Sequence, residues 1–80
     1  MKISVDISYY PLNEEFVPHI LDFIARLKQH PGIVAKTNGM STQVFGNYDE
    51  VMHAIVKEIR KSFELPHSVF ALRVVNADLQ

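Results

Sequence analysis

The residues best equipped for chemistry lie in the stretch TNGMSTQVFGNYDEV, residues 37–51, and in the pair Tyr9-Tyr10. Thr37, Ser41 and Thr42 bring hydroxyls, and Asn38 brings an amide that can donate and accept hydrogen bonds at once. Such an amide matches the polar edge of an aminopyrimidine. The faces of Tyr9 and Tyr10 suit a flat heterocycle or a cation. Recognition of a small neutral or cationic molecule is the chemistry these residues point to. A plainer reading stands beside it: Asn tolerates the backbone of tight turns, and hydroxyl residues suit turns and strands without any ligand.

Other chemistries find less support. His19, His30, His53 and His67 show no His-x-x-x-His spacing and read as surface histidines, so no metal site is expected. Asp49 and Glu50 fall at a helix start and Glu58 on an exposed helical face, where capping and solvation explain them. The serines have no evident base, so no triad can be assembled. The chain has no cysteine, hence no disulfide, thiolate nucleophile or zinc-thiolate site. No catalytic residue and no cofactor are expected. An enzyme would need a titrating group in a pocket, and Asp6 is the one carboxylate that falls near a shared sheet face.

Composition narrows the partners. A formal net charge of -1 lacks the attraction that nucleic-acid and anionic-membrane binders use. No apolar run approaches the ~18 residues that a membrane-spanning helix requires. The start, MKISVDISYY, alternates apolar with polar residues and holds Asp6, unlike a secretory segment. A cytoplasmic location is the resulting expectation. With 80 residues, the chain forms one domain, 1–80, whose lone core is marginal and for which self-association is expected.

The elements that must position the candidate residues follow from periodicity. Ile3, Val5 and Ile7 alternate with Ser4, Asp6 and Ser8, a strand with one buried face. Phe16, Ile20, Phe23, Ile24 and Leu27 form a helical stripe, with Pro18 tolerable only in the first turn. Asn38-Gly39 between IVAKT and MSTQVFG signals a hairpin with a type I′ turn. A two-residue turn would set Thr37 opposite Met40, Ala35 opposite Thr42 and Ile33 opposite Val44. Ile33, Ala35, Thr37, Met40, Thr42 and Val44 would then share one face. Asn47 and Glu50 resemble a capping box, and Val51, Met52, Ile55, Val56, Ile59 and Phe63 supply a second helical stripe. SVFALRVVNA reads as the last strand.

The order βαββαβ predicts an α+β, ferredoxin-like two-layer sandwich: a four-stranded antiparallel sheet with two helices on one face. The other face would carry Ser4, Asp6, Ser8, Lys36, Ser41, Gln43, Phe45, Ala71 and Arg73. Asp6 and Arg73 should pair across neighbouring strands. The last strand is apolar on nearly every residue, which calls for cover on both faces, most simply from a second copy. Two functional forms of this fold fit poorly. An acylphosphatase-like phosphate loop would be cationic where this chain has PLNEE. An RNA-recognition strand would carry cations and several aromatics where this chain has MSTQVFG.

ISYYPL, AKTNGMSTQVFGNYDEVM and VFALRVVNA together resemble the YkoF-like thiamine-binding family, over almost the whole chain and as a single module. That resemblance implies a non-catalytic homo-oligomer, a dimer or tetramer built through its sheets, that binds thiamine or its hydroxymethylpyrimidine moiety. It associates Thr37, Asn38, Ser41 and Thr42 with the pyrimidine, and Tyr9 or Tyr10 with an aromatic surface. Family relatives can carry Asp where this chain has Asn38, which keeps an acceptor and loses the charge. Met40 and Met52 are the apolar candidates for the pocket wall, although the spacing of Met52 also fits core packing. The alternative is a structural or regulatory oligomerisation module without a ligand.

Overall fold

A computed structural model describes residues 1–80. β1 spans Lys2–Pro11, α1 Phe16–Lys28, β2 Ile33–Thr37, β3 Thr42–Asn47, α2 Tyr48–Ser62 and β4 Ser68–Val75. The strands form one antiparallel sheet of order β2-β3-β1-β4. With two helices packed on one face, this is the ferredoxin-like α+β sandwich that the periodicities predict.

The alternation in β1 buries Ile3, Val5, Ile7 and Tyr9 against the helices. α1 adds Phe23 and Leu27, β3 adds Val44, and α2 adds Val51, Ala54 and Ile55 to one continuous core. Complete burial of an aliphatic side chain of this size contributes ~2 kcal/mol, so this small cluster accounts for most of the apolar driving force. Pro18 sits in the first turn of α1, where its missing N–H breaks no helical bond. Acidic Asp49 and Glu50 begin α2 and basic Arg60 and Lys61 end it, both favourable with the helix dipole.

The hairpin differs from the expected type I′ turn. Thr37 pairs with Thr42, Ala35 with Val44 and Ile33 with Gly46, so the loop comprises residues 38–41. Neither Asn38 nor Gly39 has positive φ. Instead, the Asn38 side-chain Oδ1 accepts the backbone N–H groups of Met40 (2.8 Å) and Ser41 (3.1 Å), and the Asn38 N–H donates to the Ser41 carbonyl (3.0 Å). The side chain closes the loop that positive φ would otherwise close. The register moves by an even number of residues, so Thr37, Thr42 and Val44 keep the predicted face. Met40 leaves it and is 89% exposed.

Four other expectations change. Asn47 is the N-cap of α2, but its side chain meets Glu50 Oε1 at 3.4 Å and caps no backbone N–H. Val56 and Phe63 fall off the buried stripe. Glu58 does not lie on an exposed face; it is 6% exposed at the contact of the two helices. Arg26 Nη1 donates to Glu58 Oε1 at 2.7 Å and Arg26 Nη2 to Ser62 Oγ at 2.7 Å. His30, read as a surface residue, is drawn in by the same carboxylate: its Nε2 lies 2.6 Å from Glu58 Oε2. Because a carboxylate only accepts, Nε2 carries the proton of this bond. Helical periodicity puts Glu58 on the inner side of α2, and ion pairing makes that position tolerable.

On the opposite sheet face, Asp6 and Arg73 stand opposite each other in the β1–β4 register, as predicted, with Arg73 Nη2 2.8 Å from Asp6 Oδ2. Part of this face is covered by the chain itself. Ser4 Oγ donates to the Ala77 carbonyl (2.7 Å) and accepts the Leu79 N–H (2.9 Å), so the C-terminal segment crosses the sheet over Ser4. β4 is a sheet edge that meets the helical core through Phe70, 5.0 Å from Phe23 between centroids, and leaves Val69, Leu72, Val74 and Val75 exposed.

Candidate functional site

The site follows from unequal strand lengths. β1 pairs with β3 only as far as Ile7 opposite Thr42, but with β4 as far as Pro11 opposite Ser68. Ser8, Tyr9 and Tyr10 therefore run past the end of the β2–β3 hairpin with no strand on that side. The loop of residues 38–41 leans over this notch, and α1 closes it from the helical side. The result is a cavity of about 150 Å³. Its walls include Tyr9, Tyr10, Thr37, Asn38, Ser41 and Thr42, all six residues singled out in the sequence. Ile20, Phe23 and Ile24 of α1 complete the apolar side. The helical stripe marks these three as inward-facing, but only the notch in the sheet makes them neighbours of the loop.

The six residues do not present equal chemistry. Thr37 and Thr42 bond to each other through their hydroxyls at 2.9 Å, which leaves one hydroxyl proton of the pair and several lone pairs for a ligand. The Asn38 oxygen is spent on the loop backbone. Its Nδ2 has a 3.5 Å contact with Gln43 Oε1 on the opposite sheet face, so Asn38 does not present the cavity with the donor–acceptor pair expected of it. Ser41 turns its hydroxyl to the opposite sheet face, 2.5 Å from Asp6 Oδ1. Tyr9 stacks on Phe70 at 4.2 Å between centroids and meets Phe23 edge-on at 5.5 Å. One face of Tyr9 is thus consumed by the core, and its hydroxyl lies 3.2 Å from Ser68 Oγ. Tyr10, 55% exposed, supplies the accessible ring at the rim.

Asp6 has the most perturbed environment near the site. Hydrogen bonds from Ser41, then Arg73, then Gln43 hold its carboxyl at about 2, below the ordinary 3.8, against a small opposing effect of burial. It is a carboxylate throughout the physiological range, an acceptor and not a proton donor. For Glu58, burial pushes upward, but the bonds from His30 and Arg26 and the charge of Arg26 outweigh it and lower the pKa. The run Glu50-Val51-Met52-His53 does have a Glu-x-x-His spacing, against the expectation that no histidine has a ligand spacing. No three His, Cys, Asp or Glu side chains gather as metal ligands, there or elsewhere.

No protein-family model matches the chain, and no curated protein matches it in sequence. Solved structures do match its fold. A protein from Streptococcus pneumoniae is 18% identical, with a TM-score of 0.87 over 99% of this chain and 90% of that one. A hypothetical protein from Methanocaldococcus jannascii is 20% identical, with a TM-score of 0.83 over 99% of this chain and 84% of that one. A "putative thiamine biosynthesis/salvage protein" from Thermotoga maritima is 20% identical, with a TM-score of 0.75 over 100% of this chain and 85% of that one. At these identities the similarity establishes the ferredoxin-like fold. No helix is long and apolar enough to cross a membrane.

Proposed function

We propose that the chain is a non-catalytic, homo-oligomeric binder of a thiamine-type pyrimidine, with the ligand in the notch beside the β2–β3 hairpin. The observation that carries this reading is the convergence of the Thr37–Thr42 hydroxyl pair, the 38–41 loop and the strand-free edge of Ser8–Tyr10 around one cavity. Unpaired strand backbone offers donors and acceptors in line, which suits the alternating edge of an aminopyrimidine. The similarity in fold to the Thermotoga maritima protein supports the choice of ligand class.

Size selects within that class. Sites for drug-sized molecules run from roughly 300 to 1,000 Å³, and this cavity is about 150 Å³. A single substituted ring fits that space better than two linked rings, so hydroxymethylpyrimidine is favoured over whole thiamine. The hydroxyl pair would read the polar edge, and a ligand lacking matching groups would leave it unpaired. Tyr10 would flank the ring from the rim.

Isothermal titration of the folded protein with hydroxymethylpyrimidine and with thiamine tests this reading. Heat is expected with the former, weaker with the latter, and reduced by Thr42→Ala. Absence of heat with both would reject the ligand and leave the fold intact. The second reading, an oligomerisation module without a ligand, draws on the self-satisfied bonds of Asn38 Oδ1 and Ser41 Oγ. Under that reading Thr37→Ala and Thr42→Ala alter stability alone.

A further inference from the structure

The loop of residues 38–41 forms one wall of the cavity, and its own bonds are almost all local. Asn38 holds Met40 and Ser41 through Oδ1 and reaches Gln43 through Nδ2, all within the hairpin. Of the bonds made by the loop's own side chains, one leaves the hairpin: Ser41 Oγ donates to Asp6 Oδ1, 2.5 Å away on β1. Asp6 is in turn immobilised. Gln43 Nε2 donates to the same oxygen at 2.9 Å and to Ser41 Oγ at 2.8 Å. Arg73, on β4, donates to the other oxygen through Nε at 3.2 Å and Nη2 at 2.8 Å. Asp6 thereby accepts four bonds, filling the acceptor capacity of a carboxylate.

We propose that Asp6 is a positioning residue for the cavity, latching the 38–41 loop through Ser41 from the face of the sheet opposite the core. The inference rests on the proposed site only for its effect on ligand. The latch couples three strands, because Asp6 lies on β1, Ser41 and Gln43 lead into and lie on β3, and Arg73 lies on β4. Asp6 is next in sequence to Ile7, which lines the cavity floor, so latch and floor move as one piece. Charge-assisted bonds are about twice as strong as neutral ones, which makes an ionised carboxylate the effective anchor for a short polar loop. Asp6 touches no ligand in this scheme. It fixes the place of Asn38 and Met40 by holding the residue that follows them.

The test is amide hydrogen exchange of the whole protein, read residue by residue, with Asp6→Ala, Ser41→Ala, the double variant and the conservative Asp6→Asn. Loss of one anchoring bond is expected to speed exchange at Met40 and Ser41 by about tenfold in each single variant. The double variant should exchange no faster than either single one, and Asp6→Asn, which keeps an acceptor for Ser41, should recover most of the protection. Hydroxymethylpyrimidine affinity should fall with the loss of protection. Unchanged exchange in Ser41→Ala, or an equal rise across β1 and β4 as well as the loop, would overturn the latch. Ser41→Ala retains the Asp6–Arg73 pair and so isolates the latch even if Asp6→Ala unfolds. Should the native protein bind no pyrimidine while loop exchange still follows this pattern, the ligand assignment fails and the latch stands.

Discussion

At the residue scale, the largest departure from an ordinary small domain is Glu58. A carboxylate with an 8% exposed side chain sits between two helices and is neutralised by Arg26, with His30, Ser62 and the more exposed Asp22, 2.9 Å from Arg26 Nε, completing the network. A buried pair of this kind is weak support for stability taken whole, because its Coulombic gain is offset by desolvation. Breaking it is another matter. Glu58→Ala leaves the Arg26 guanidinium, itself largely buried, without its main partner, and should cost about 3 kcal/mol in urea unfolding. The paired replacement Arg26→Met with Glu58→Leu should cost far less, because no charge remains to be desolvated. Equal losses in the two variants would mean that packing, and not charge pairing, governs this contact.

At the scale of elements, glycines discriminate between the hairpin expected from Asn38-Gly39 and the one found. In a type I′ turn Gly39 would need positive φ, and a Cβ there would be costly. Here Gly39 has no positive φ and no atom lies near the place its Cβ would take. Gly39→Ala should therefore be neutral or stabilise by up to about 1 kcal/mol, through a less flexible unfolded chain. Gly46 is the opposite case. Its φ is +155°, and an added Cβ would lie 3.1 Å from the Gly32 carbonyl and 3.2 Å from Val51 Cγ2. Gly46→Ala should destabilise by roughly 1–3 kcal/mol. Thermal unfolding of both variants reads the contrast, and a destabilised Gly39→Ala would reinstate the two-residue turn. The pair also measures what was legible in the sequence. Alternation in β1 and the stripes of α1 and α2 specify the elements and their order, which depend on period, and the Asp6–Arg73 pairing follows once that order sets β1 beside β4. The loop was not legible, because Asn-Gly supports two closures and the Asn38 side chain decides between them. Nor was Glu58, since a charge at an inward helical position is readable only once Arg26 and His30 are brought beside it. The six candidate residues could be named, but not the division of labour among them. That division depends on which oxygen each loop residue spends on its neighbours.

At the scale of the whole molecule, one face of the sheet is left with the least cover. The C-terminal segment shields the corner at Ser4, while Arg73 is 86% exposed at its side chain and Ala71 and Val75 beside it are open to solvent. A lone 80-residue domain with so small a core gains most by burying such a face against a second copy. If binding in the notch and association of the sheets both hold Asp6 and Arg73 in the same arrangement, the two favour each other, and by linkage they do so by the same factor. Sedimentation over a range of protein concentrations, with and without saturating hydroxymethylpyrimidine, puts this to the measurement. The native protein should associate at micromolar concentration, and the ligand should shift the transition to lower concentration by about fivefold or more. Ala71→Lys, which sets a charge on the open face without replacing Asp6 or Arg73, should shift it the other way. Because the reciprocal effect is obligatory, the same variant should also weaken ligand binding when measured at concentrations where the native protein is associated. A protomer that stays single at every concentration, with Ala71→Lys indistinguishable from native, would mean that the open face needs no coat beyond its own C-terminal segment.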